Sequence, residues 1–279
     1  MPIQERRASR YAALPLLLAV FTARAPAALN INTEVVQSSV VFLYGPDDAG
    51  KADPQKEVGT GFLVRVPLTS DAKKSFILLV TARHIVDPQW AKCTEPNPSL
   101  VYARLNKSGH TTGASGQGTV FVPLLLVHGA QPLWKHPSED MADAAVMVVQ
   151  SPDTALQEAD AGTIPISDFP TDDEMKGIGV GDQILSAGLV PGFSGGNRNR
   201  PFFKFGFISS TSSEDIEVRC APATAPYNIR GWFLAANLVP GNSGSPVFFV
   251  PPGGGGRRVR LACTPPRVAR NPVVQPPPS

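Results

Sequence analysis

The segments Gly59-Thr60-Gly61-Phe62-Leu63-Val64-Arg65-Val66 and Ser75-Phe76-Ile77-Leu78-Leu79-Val80-Thr81 decide the fold class. Both are rich in β-branched, aliphatic and aromatic residues, both are too short for a core helix, and polar turn residues separate them; that is the pattern of neighbouring strands. Working outward, the same alternation recurs. Val35–Tyr44, Leu100–Leu105, Thr119–Val127 and Ala144–Val149 complete six candidate strands in the first half. Pro123 weakens the fifth, because proline cannot donate to a ladder. After a polar stretch from Gln150 to Gly181 come six more: Gln183–Leu189, Phe202–Ser210, Ile216–Cys220, Gly231–Asn237, Pro246–Val250 and Arg257–Ala262. No long segment carries a 3.6-residue period. The 25 glycines and 29 prolines among 279 residues exceed the usual shares of about 7% and about 5%, as short strands joined by tight turns require. The expectation is an all-β chain of two six-stranded antiparallel barrels, which removes exposed sheet edges.

Composition narrows function. The net charge of +2 hides +3 on residues 1–27 and +5 on residues 256–279, which leaves −6 on the body between them. A net-acidic body lacks the basic face that nucleic-acid binding needs. Arg6, Arg7 and Arg10 precede an apolar run from Tyr11 to Ala23, followed by Ala25-Pro26-Ala27. The run is far short of the ~20 residues of a bilayer span. A basic start, a short apolar stretch and a small-residue site describe a signal peptide over residues 1–27, hence an exported protein, periplasmic or extracellular, with no membrane span once mature. Residues 262–279 read as a disordered, proline-rich tail. Of Cys93, Cys220 and Cys263, the pair Cys220–Cys263 is the expected bridge if one forms, since both lie in the C-terminal half; no metal spacing is present.

Three short motifs carry chemistry. Thr81-Ala82-Arg83-His84 delivers an imidazole at the end of an apolar strand. Asp143-Ala144-Ala145-Val146 places an acid at the mouth of another. Pro240-Gly241-Asn242-Ser243-Gly244-Ser245-Pro246 sets a serine in a glycine-flanked turn. A serine hydroxyl is a weak nucleophile at neutral pH unless a nearby imidazole takes its proton. A carboxylate must hold that imidazole in the right tautomer, and the Gly241 and Ser243 amides can receive an oxyanion. Asp140 competes with Asp143 and reads as a solvated turn acid. His110, His128 and His136 sit in polar or proline-containing loops and read as solvent-facing. Gly177–Gly181 lacks the preceding strand of a phosphate loop, and Gly253–Gly256 reads as a hairpin tip.

These motifs, with Gly59-Thr60-Gly61-Phe62, Gly181-Asp182-Gln183-Ile184, Phe205-Gly206-Phe207-Ile208-Ser209 and Ala235-Ala236-Asn237, resemble the trypsin/chymotrypsin-like serine peptidases, bacterial exported high-temperature-requirement proteases above all. The likeness spans residues 35 to 261 and includes no appended peptide-binding domain. It implies a peptidase domain over 28–261, with a first barrel at 35–149, a linker at 150–181 and a second barrel at 182–261. It further implies polypeptide substrates, catalysis by His84, Asp143 and Ser243 without metal or cofactor, and Asn237 in the substrate pocket, where an uncharged residue favours a small or medium apolar side chain. Ser245 departs from the family's second glycine, Val86 stands where animal digestive relatives have a cysteine, and the likeness stops after Leu261. A trypsin-fold binding or scaffold protein, and an esterase using the same triad, are the alternatives.

Overall fold

The structure, a computed structural model, describes residues 33–71, 73–108, 118–149, 154–211, 214–249 and 260–262. The expected signal peptide, His110, Gly253–Gly256, Cys263 and nearly all of the tail lie outside these residues.

The fold is mostly β. A short helix α1 (Thr33–Ser39) leads into β1 (Val40–Pro46), β2 (Ala52–Pro67) and β3 (Ser75–Thr81), and a single turn α2 (Arg83–Val86) follows. Next come β4 (Leu100–Asn106), β5 (Thr119–Leu125), the small hairpin β6 (Val127–His128) and β7 (Gln131–Pro132), β8 (Trp134–Lys135) and β9 (Ala145–Val148). These form a curled sheet in the order β5-β4-β1-β2-β3-β9-β8, antiparallel throughout this path. Beyond the ladders, Leu133 N–H donates to Leu126 O at 2.9 Å, so the chain before β8 meets the chain after β5.

β1 explains why the run from Val40 to Tyr44 shows no hydrophobic alternation: it is buried on both faces. Val41 and Leu43 join Leu63, Leu79, Val101, Leu105 and Val122 in one core. Val40, Phe42 and Tyr44 join Phe62, Val64 and Val80 in a second. The period-2 alternation of side chains feeds two cores from one strand.

The second core is completed by another sheet. β11 (Gln183–Gly188), β12 (Phe202–Thr211), β15 (Trp232–Ala236), β16 (Val247–Phe249) and β17 (Arg260–Ala262) run in the order β15-β12-β11-β16-β17. Leu185, Ala187, Leu189 and Phe248 pack against the first sheet, while Ile184, Ile208, Leu234, Val247 and Phe249 build a third core on the opposite face.

The structure corrects several expectations. Thr33–Ser39 is helical, so the strand expected from Val35 begins only at Val40; the Ser38 hydroxyl donates to Glu34 O at 2.9 Å and so supports the helix locally. The stretch 150–181 is more than a connector. It contains α3 (Thr154–Gln157), β10 (Ile164–Pro165), which pairs parallel with β2, and α4 (Asp172–Lys176), opened by a capping box from Thr171 and Glu174. β13 (Ile216–Arg219) does not enter the five-stranded sheet; it pairs only with β14 (Pro226–Ile229). The bridge is Cys93–Cys220, not Cys220–Cys263: Cys93 follows α2, and β13 carries Cys220 back to it across 127 residues. Sequence halves do not report such proximity. No helix among the described residues is long and apolar enough to cross a membrane.

Candidate active site

His84 owes its position to the end of β3. After Thr81 the chain passes through Ala82, extended at φ −75° and ψ 140°, into the single turn α2, and all four residues of that turn are buried. A helix's first amides have no partner of their own. Here the His84 N–H donates to Asp143 Oδ1 at 2.9 Å, and His84 Nδ1 lies 2.7 Å from Asp143 Oδ2. Strand register supplies the acid: Thr81 pairs with Ala145, so two residues further Asp143 comes level with Arg83, beside His84. Both side chains are nearly closed off, His84 at 8% and Asp143 at 4% exposure. One carboxylate thus fixes both the backbone and the ring. In that geometry Nδ1–H donates to the carboxylate, leaving Nε2 as the acceptor nitrogen.

Asp140, three residues earlier, has a different environment. Its side chain is 76% exposed, and it accepts from Arg83 Nη1 at 2.7 Å. That hydrogen bond and the guanidinium charge hold its carboxyl below the usual value. Arg83 lies 4.5 Å from the centre of the Trp90 ring, and Trp90 Nε1 donates to Asp140 O at 3.1 Å.

The serine turn is pinned to the strands that carry the histidine. Thr60, on β2, is fully buried. Its N–H donates to Ser243 O at 2.8 Å, and its hydroxyl donates to Gly241 O at 2.6 Å while accepting from Leu189 N–H at 3.0 Å. Its carbonyl accepts from the Thr81 hydroxyl at 2.7 Å, three residues before His84. Gly244, at φ +83°, must be glycine, because a Cβ there would lie 1.9 Å from Thr60 O. Gly241 also has a positive φ, +89°. Among the described residues neither the Gly241 nor the Ser243 amide has an acceptor, although the Asn242 amide between them donates to Val239 O at 3.1 Å. The turn therefore leaves two donors free on either side of a fixed residue.

Ser243 itself is half-buried, and no hydrogen bond joins its hydroxyl to His84 Nε2 among the described residues. Ser245 turns inward: its hydroxyl is buried without a partner and lies over Gly188, where a Cβ would come within 1.9 Å of it. Asn237, expected in the substrate pocket, is exposed just past β15. His128 and His136 are exposed, as expected. Sequence reasoning missed the part played by Thr60, although its motif was visible, and that of Lys204, which donates to Asn242 Oδ1. Burial lowers the Lys204 ammonium below the ordinary lysine value.

No family model matches this chain, and no curated protein matches it.

Proposed function

We propose that this protein is an exported serine endopeptidase of the trypsin/chymotrypsin type, each sheet forming one of two barrels with the active site at their seam. The observation that carries the reading is the double contact of Asp143 with His84, beside a serine turn whose two flanking amides are free. For the first barrel the reading is supported by the curled sheet β5-β4-β1-β2-β3-β9-β8 and by the hydrogen bond from Leu133 N–H to Leu126 O between its two ends. Export is supported by the basic, apolar start of the chain and by the Cys93–Cys220 bridge, since disulfides persist mainly in oxidising compartments.

In the proposed reaction, His84 Nε2 takes the Ser243 proton as Oγ attacks the peptide carbonyl. Asp143 holds the imidazole tautomer and offsets the imidazolium charge, and the Gly241 and Ser243 amides receive the oxyanion. The tetrahedral intermediate collapses as His84 returns the proton to the leaving amine. Water, activated by the same nitrogen, then releases the acyl group from Ser243. The approach of Ser243 Oγ to Nε2 tightens when substrate is bound, as catalytic hydrogen bonds in empty sites are often long.

A fluorophosphonate probe should label Ser243 in the intact protein, and Ser243→Ala and His84→Ala should abolish labelling. Asp143→Asn should lower the labelling rate on the order of 10³-fold or more, because the amide favours the wrong tautomer. Labelling that survives Ser243→Ala or His84→Ala would overturn the assignment. The second reading, a trypsin-fold binding protein, is favoured by the lack, among the described residues, of a hydrogen bond between Ser243 Oγ and His84; labelling without hydrolysis of a denatured protein substrate would support it.

A further inference from the structure

Asn242 holds the serine turn through three contacts beyond its own amide. Its Nδ2 donates to Leu189 O at 2.7 Å, and its Oδ1 accepts from Val239 N–H at 2.9 Å and from the Lys204 ammonium. Only one orientation of the side-chain amide satisfies all three, since a carbonyl can only accept while an ammonium and a backbone N–H can only donate. Gly188 makes the room: a Cβ there would come within 3.0 Å of Asn242 Nδ2.

Lys204 reaches this amide from β12, where it pairs with Ser186 of β11. None of the ion pairs among the described residues includes it. A part-buried ammonium without a carboxylate is a burden to folding, and burial does lower its proton affinity. Its acceptor is the residue between the two free amides.

We infer that Lys204 is a positioning residue for the oxyanion turn: through Asn242 it keeps the Gly241 and Ser243 amides turned outward and sets a positive charge behind them. The inference rests on the peptidase reading for its catalytic consequence, though not for the clamp itself. An anion forming on the substrate carbonyl draws on donors fixed beforehand, and Asn242 is what fixes them.

The test uses the full chain with Lys204→Met and Lys204→Arg, read by fluorophosphonate labelling rate, thermal midpoint and amide exchange over residues 239–245. Lys204→Met should slow labelling about 10-fold, less than outright loss of a donor, and should speed exchange of the turn amides. It should leave the thermal midpoint unchanged or raised, because a part-buried ammonium without a carboxylate is gone. Lys204→Arg should recover most of the labelling rate. Labelling and exchange at the original rates in Lys204→Met would overturn the inference, as would a loss of labelling matched by a lowered thermal midpoint, the mark of a merely structural residue. If the unsubstituted chain takes up no probe, the peptidase reading fails. Faster exchange in Lys204→Met would then still establish the clamp, and unchanged exchange would remove it.

Discussion

Asp143 and Asp140 are three residues apart and have opposite fates. Asp143 is enclosed and gives both oxygens to His84; Asp140 stands in solvent and gives one to Arg83. The Arg83–Asp140 pair yields a pH prediction whose sign follows from the lowered carboxyl affinity. An acid whose folded value lies below its unfolded one, about 3.9 for Asp, stabilises the fold above that unfolded value and loses its contribution as pH falls through the folded one. The urea midpoint of the native protein should therefore exceed that of Asp140→Asn at pH 6, by a small margin because the pair is exposed. The gap should narrow as pH falls below about 4; a gap that stays constant on acidification would contradict this. At this scale the sequence was readable for residues beside a local landmark. His84 ends an apolar run, Asp143 begins one, and Ser243 sits between glycines. Thr60 and Lys204 were not readable as site residues, because their partners at Gly241 and Asn242 lie 181 and 38 residues away and no local pattern marks such a pairing.

The β13–β14 hairpin enters neither large sheet and is held to the molecule by ties outside its own ladder. The Cys93–Cys220 bridge fastens it to the segment that follows α2. Tyr227 meets the Trp90 ring edge-on at 5.3 Å, and Arg230 pairs with Glu139 at 2.6 Å and donates its N–H to Met141 O at 3.1 Å. The hairpin and the residue after it thus brace the segment that follows the histidine and the one that leads to the aspartate. Opening a cross-link that spans 127 residues should cost about 2–5 kcal/mol. Treatment with dithiothreitol, or Cys93→Ala with Cys220→Ala, should lower the denaturation midpoint accordingly and expose residues 216–229 to amide exchange first. An unchanged midpoint would show that the other contacts suffice. Long strands were legible in part: Ser75–Thr81 was delimited correctly and β4, β11 and β12 fall within a residue or so, but β2 begins at Ala52, seven residues before the expected Gly59, in a polar, largely exposed stretch with no apolar run. The short β9, β13 and β16 were also found, but the two-residue strands and β14 were not, since two residues such as Ile164–Pro165 carry no period and β14 opens on a proline. Val35 and Val36 imitated a strand start, but only Val36 is buried, and it packs as a helical residue against the second core.

Across the whole molecule, the two sheets share a core instead of merely touching. Phe42, Phe62 and Val80 from one and Leu185, Ala187 and Phe248 from the other belong to a single apolar cluster. Losing one sheet would strip that cluster from the other, so unfolding should occur in one transition, with circular dichroism and tryptophan fluorescence superimposing. Phe248→Ala should cost about 3–5 kcal/mol and keep the transition single; two separated steps in either protein would show that the sheets stand independently. The mostly-β character was legible from composition and periodicity. The eight-and-five division of strands was not, because it depends on which short segments find an edge to pair with.

The Thr60 contacts have a consequence for how such a chain is made. Its hydroxyl waits for the carbonyl of Gly241 and the amide of Leu189, residues synthesised 181 and 129 positions later. A nascent chain that has completed its first sheet already carries His84 and Asp143, but neither the Ser243 turn nor the Leu189 amide that meets Thr60. The candidate site is therefore whole only once the last sheet has been made and has docked on the first.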